Sequence, residues 1–133
     1  MSDLFELMQY RMSRSWESYS AAKMLIELGL YMSAMNRIYY ACFYMVTVLL
    51  LTKNLTSTKH SGIKSFFNKD FINEGLIDKK WGPFYAELYQ DRQEYDYADY
   101  AEVDKEISTY YLKEAETFLK EIELYIKTKL EKK

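Results

Sequence analysis

The chain has 133 residues and a mass of 16.0 kDa, the size of a single domain. Its 18 basic and 20 acidic side chains give a formal net charge of -2, which excludes a strongly basic nucleic-acid scaffold but not a local basic site. Four glycines and one proline exclude collagen-like and linker-rich chains and most all-β folds, and 17% aromatic content argues against disorder.

Cys42 is the only cysteine, so no intrachain disulfide can form. His60 is the only histidine, and together the two fall short of a structural zinc set. No metal and no cofactor are therefore expected. The N-terminal MSDLFELMQYRMSRS is amphipathic and charged and does not read as a secretory leader. The longest apolar run, from Ile38 to Leu51, has 14 residues, whereas a membrane span needs about 20. These features point to a soluble cytoplasmic chain without a membrane partner.

The first predicted helix covers about Asp3 to Leu28. Met8, Met12, Trp16, Tyr19, Ala22 and Ile26 recur at helical steps and form its expected core stripe. Gly29 suits a left-handed helix end. The second helix covers about Met32 to Leu51. It is apolar on nearly all sides after Arg37, which makes it the central helix. Val46 to Leu51 read alone also suits a buried strand, but its flanks offer no second strand. Thr52 to Thr58 is polar and turn-forming. A short helix starts near Thr58 with Ile63, Phe66 and Phe67, and the region from Asn68 to Lys80 reads as looser. The third long helix covers Gly82 to about Asp96, with Pro83 tolerated in its first turn. Asp104 is the expected N-cap of the last helix. Ile107, Tyr111, Ala115, Phe118, Ile122 and Tyr125 form that helix's stripe. The pattern predicts one all-α domain over residues 1–133, an up-and-down bundle of four long helices plus a short one.

Two arginines fall on core-facing stripes. Arg37 is spaced with Ala34, Ala41 and Tyr44, and Arg92 with Trp81, Tyr85, Leu88 and Tyr95. A charge there needs a partner or a wet cleft. One reading is a salt bridge or a snorkelling side chain. The other is a cleft that receives an anion such as phosphate. The segment DRQEYDYADY, Asp91 to Tyr100, sets tyrosine stacking faces beside Arg92, which suits a nucleotide or single-stranded RNA as well as simple packing. His60, in TKHSG, reads first as a helix-start residue. It is also the one side chain whose unperturbed pKa suits general acid–base work near neutrality.

Three stretches taken in order carry a resemblance. They contain Asn36-Arg37-Ile38-Tyr39-Tyr40-Ala41, Lys59-His60-Ser61-Gly62, and Arg92 through Asp96-Tyr97. From about Trp16 to Tyr125 the chain resembles the small stand-alone HEPN domain proteins of bacteria and archaea. The resemblance implies a HEPN-like helical bundle, a homodimer, and an arginine-bearing cleft near the dimer interface. It also implies a minimal nucleotidyltransferase as partner in a toxin–antitoxin pair. Active relatives are metal-independent ribonucleases whose motif is Arg, four to six residues, then His. There the 2′-hydroxyl attacks the adjacent phosphate, His moves a proton and Arg stabilises the charged transition state.

This sequence departs from that motif: Tyr97 stands where the resemblance expects His. A tyrosine with an ordinary pKa of about 10 is a poor general base at neutral pH. The first expectation is thus a binding module that holds RNA or nucleotide through Arg92, Arg37 and Tyr95. In that module Tyr97, Tyr95 or Tyr100 would be the candidate for modification by the nucleotidyltransferase. The second is a diverged ribonuclease with Arg92, Asp96 and Tyr97 in its active site and His60 assisting. The third is a structural dimerisation module in which the arginines tie helices together.

Overall fold

The computed structural model describes residues 2–97 and 103–132. Among the described residues five α-helices run in chain order: α1 (Asp3–Glu27), α2 (Tyr31–Leu51), α3 (His60–Phe67), α4 (Trp81–Tyr97) and α5 (Lys105–Glu131). There is no strand among the described residues. The fold is an all-α bundle, as the resemblance implies.

Helix α1 starts where the Ser2 side chain accepts a hydrogen bond from the Phe5 amide at 3.1 Å, with Asp3 and Glu6 in the first turn. It ends at Gly29, whose φ of +78° lies in the left-handed region. The Gly29 amide then reaches the Ile26 carbonyl at 3.0 Å and the Leu30 amide reaches Leu25 at 2.9 Å, a Schellman closure. The chain reverses there into α2.

The core stripe of α1 differs from its sequence reading. Met8, Met12, Ala22 and Ile26 are buried as expected, but Ser15 and Ser18 take the places assigned to Trp16 and Tyr19. The reason is the closeness of α2. The Ser15 hydroxyl donates to the Ala41 carbonyl at 2.7 Å, an approach that only small side chains permit. Trp16 and Tyr19 stay half-buried at the rim, and the Trp16 indole donates to Glu123 on α5 at 3.2 Å.

Helix α2 is the centre of the bundle and packs against α1, α3, α4 and α5. Val46 to Leu51 is helical, so the strand alternative falls: α2 already presents apolar residues to neighbours on every side. By length and composition this 21-residue helix could cross a membrane, but 72% of its most apolar window is buried within the bundle. That is the signature of a core helix.

The region after α3 is more ordered than its composition suggests. A π-helical turn over Asn68–Ile72 continues α3, and Phe71 is buried against the core beside Phe67. Lys53 secures this turn by donating to the Asp70 carbonyl at 2.6 Å. Gly75, with φ of +73°, then turns the chain towards α4.

Large aromatic side chains bridge α4 and α5. Phe118 meets Trp81, Phe84 and Tyr85 at ring-centre distances of 5.3, 5.4 and 6.2 Å. The Trp81 indole donates to Glu121 and the Tyr111 hydroxyl to Glu87. Asp104 caps α5 as expected, accepting from the Ile107 amide at 2.8 Å. On α5, Tyr111, Ala115, Phe118 and Ile122 are buried, but Ile107 is exposed and Ser108 takes the inward place. At its other end Tyr125 is only partly buried, and Ile126 carries the stripe onward.

Candidate functional site

The N-terminal half of α2 meets the start of α3 and the middle of α4 in a cluster of aromatic and cationic side chains. At its base is Tyr39, fully buried, whose hydroxyl lies 2.7 Å from His60 Nδ1. The His60 ring stacks on Phe43 with centres 4.3 Å apart and planes within 10°. Tyr40 stands edge-on to His60 at 5.9 Å. From α4, Tyr85 and Tyr89 approach the Tyr39 ring at 6.0 and 6.5 Å. Helix α2 supplies Tyr39, Tyr40 and Phe43 at one-turn spacing, and α3 begins at His60, so the chain brings these rings together by register.

Two cations border the rings. The Arg37 guanidinium lies 5.1 Å from the centre of Tyr40 and donates to Asn36 Oδ1 at 3.2 Å. No carboxylate pairs with Arg37 among the described residues. Its partners among the described residues are a ring and an amide. Lys64 Nζ lies 4.7 Å from the Tyr89 ring centre. Such contacts hold a cation at an aromatic surface without neutralising it.

The hydrogen bond between Tyr39 and His60 fixes the imidazole. When the phenol donates to Nδ1, the ring proton sits on Nε2; in the other tautomer Nδ1 donates to the phenol oxygen. In either case His60 is held by a buried anchor and remains only partly buried itself. It is both the helix-start residue that the sequence suggests and part of an organised cluster. Tyr39→Phe removes this anchor while keeping the ring. It should lower stability by about 1 kcal/mol, read from the urea midpoint. An unchanged midpoint would contradict the role of the hydroxyl.

The tight loop before α3 explains the glycine of TKHSG. Ser57 Oγ accepts from the Lys59 amide at 3.1 Å and faces Gly62, where an added Cβ would lie 2.2 Å from that oxygen. Gly62→Ala should therefore displace the loop and cost about 1–3 kcal/mol in denaturant unfolding. Wild-type stability in this variant would show that the loop yields freely.

Arg92, Tyr95, Asp96 and Tyr97 lie on the last turns of α4, and their side chains fall outside the described residues, as does all of Tyr100. The helix backbone alone places Arg92 three residues beyond Tyr89, a rise of about 4.5 Å. The turn that bears Arg92 thus follows directly on the turn that joins the His60 cluster. The sequence singles out His60 and Arg37, but the contacts of His60 with Tyr39 and Phe43, and the Lys64–Tyr89 pair beside them, arise from packing. The only trace was the paired tyrosine in Asn36-Arg37-Ile38-Tyr39-Tyr40-Ala41.

Cys42 is buried on α2, and burial pushes its thiol pKa well up, which makes it a packing residue rather than a nucleophile. Among the described residues no three His, Cys, Asp or Glu side chains converge to hold a metal ion.

A family model described as HEPN domain matches residues 8–125, from the first buried methionine of α1 to the last turns of α5. The chain belongs to the HEPN domain family. Relatives agree over nearly the whole HEPN chain. A UPF0332 protein from Thermotoga maritima is 37% identical over 126 residues, covering 95% of this chain and 96% of its own. A Methanocaldococcus jannaschii protein named "Putative toxin MJ0605" is 37% identical over 124 residues, 93% of this chain and 87% of its own. A second from that organism, "Putative toxin MJ0142", is 36% identical over 113 residues, 85% of this chain and 77% of its own.

Proposed function

We propose that this HEPN protein is the RNA- or nucleotide-binding member of a toxin–antitoxin-type module, acting in the cytoplasm as a homodimer beside a minimal nucleotidyltransferase. What supports the reading most is the cluster of rings around His60, bordered by Arg37 and Lys64, which Tyr89 joins from α4 one turn before Arg92. Aromatic faces take bases, and cations take the phosphates between them. Arg92 and Tyr95 complete the binding surface in this reading. Tyr97, Tyr95 or Tyr100 is the residue that the nucleotidyltransferase would modify.

The bond from Tyr39 to His60 favours a second reading, a metal-independent ribonuclease. Here His60, rather than Tyr97, takes the proton from the attacking 2′-hydroxyl. That oxygen bonds to phosphorus, the bond from phosphorus to the 5′-oxygen breaks, the 5′-oxygen leaves with the proton that His60 took up, and a cyclic phosphate remains. Arg92 balances the charge on phosphate, and Asp96 stands one turn beyond it on α4.

One experiment separates the readings. Short labelled RNA is incubated in EDTA with the wild type, Arg92→Ala and His60→Gln, and both retention and cleavage are followed. The binding reading expects intact RNA retained by the wild type and released by Arg92→Ala. Cleavage by the wild type, lost in His60→Gln, would replace it with the ribonuclease reading. Neither retention nor cleavage would contradict both.

A further inference from the structure

Phe43 does more than stack on His60. Its ring also lines a cavity of about 180 Å³ where three segments meet. Arg11 comes from α1, Tyr44 and Thr47 from α2, and Thr56 and Ser57 from the loop before α3. These polar groups share the wall with Phe43, Leu55 and Ile63. Arg11 is half-buried, and no carboxylate among the described residues pairs with it. Arg14, one turn along α1, is already engaged: it pairs with Glu17 at 3.1 Å, lies 5.6 Å from the Tyr44 ring centre and donates to the Tyr44 hydroxyl.

The available donors define the ligand. The Thr47 hydroxyl is already used by the Tyr44 carbonyl at 2.6 Å, and Ser57 Oγ is engaged with the Lys59 backbone. This leaves the Arg11 guanidinium and the Thr56 hydroxyl, while the Tyr44 hydroxyl, which accepts from Arg14, keeps its own proton to donate. A guanidinium with hydroxyl donors matches a multi-oxygen anion, above all phosphate. The size agrees: about 180 Å³ equals the liquid volume of about six waters, enough for a phosphate group with some of its hydration. A whole nucleotide needs more room.

We infer that this cavity is a phosphate subsite for the RNA strand whose neighbouring residues meet the His60 cluster, with Arg11 as its principal cation. The inference rests on the RNA reading above, and Phe43 is the wall that the two sites share.

The test pairs RNA titration with a probe that does not need RNA. Arg11→Gln should bind short RNA about tenfold more weakly than the wild type, with an unchanged melting temperature. The slope of log affinity against log salt should fall by about 0.7, the loss of one single-strand phosphate contact. Arg11→Lys should recover part of the affinity. In parallel, inorganic phosphate added to the wild type should shift the NMR signals of Arg11, Tyr44 and Thr56, and leave Arg11→Gln unmoved. RNA binding with equal affinity and slope in wild type and Arg11→Gln would overturn the subsite. If the wild type binds no RNA, the functional reading fails, yet phosphate-dependent shifts at Arg11 would still support an anion subsite. Absence of those shifts would overturn that as well.

Discussion

Phe118→Ala should destabilise the bundle by about 3–5 kcal/mol, the largest loss expected from a single side chain here. Phe118 is fully buried on α5 and touches aromatic rings from α3 and α4: Phe67, Trp81, Phe84 and Tyr85. Large rings fill the space between α4 and α5, so truncating the central one opens a cavity that its rigid neighbours do not close. A domain of this size has about 5–15 kcal/mol of stability in all. The urea midpoint should fall steeply with an unchanged slope. A loss under about 1 kcal/mol would mean that the seam repacks and that Phe118 is not its keystone.

The second large effect concerns ligand binding. Arg37→Ala and Arg92→Ala should each weaken RNA binding about tenfold, near 1.4 kcal/mol, and the double variant about a hundredfold if the two act independently. The salt slope should fall by about 0.7 for each arginine removed. Folding should change little in Arg37→Ala, because its guanidinium meets a ring and an amide rather than a buried acid. This separates ligand binding from the purely structural reading, in which removing Arg92 lowers the melting temperature and leaves RNA affinity as it was. Fluorescence anisotropy at two salt concentrations, with melting curves alongside, gives both readouts.

Most of the bundle is legible in the residues themselves. Gly29 and Asp104 mark helix boundaries because their backbone and side-chain chemistry is local. The all-round apolarity after Arg37 identifies α2 as central, because a helix with no polar face must be enclosed. The failures lie where tertiary contact overrides local pattern. Ser15 and Ser18 displace Trp16 and Tyr19 from the core, since the spacing between α1 and α2 favours small residues over the most apolar ones. Asn68 to Ile72 is polar in composition yet helical, because Phe71 is buried and Lys53 holds the turn from another segment.

The candidate site was less legible, for a related reason. Tyr39 and His60 are 21 positions apart, and nothing in either neighbourhood indicates that they bond. Lys64 and Tyr89 likewise meet only through the packing of α3 beside α4. Arg37 was visible as a charge on an apolar stripe, but its partners were not. Arg92, Tyr95, Asp96 and Tyr97 stand on sequence and helix register alone.

In the function proposed above, RNA or nucleotide meets the bundle at the end where α2, α3 and α4 converge. Photo-crosslinking of 4-thiouridine RNA to the wild-type protein, followed by peptide mapping, tests it most directly. Adducts are expected on the peptides that carry Tyr40, His60 and Tyr89. They should be absent from the cavity of about 520 Å³ between α4 and α5, where Glu87, Asp91 and Glu106 surround Tyr110 and would repel phosphate. Adducts confined to Tyr110 and that acidic face, or no adduct at any RNA concentration that saturates a known binder, would contradict the claim.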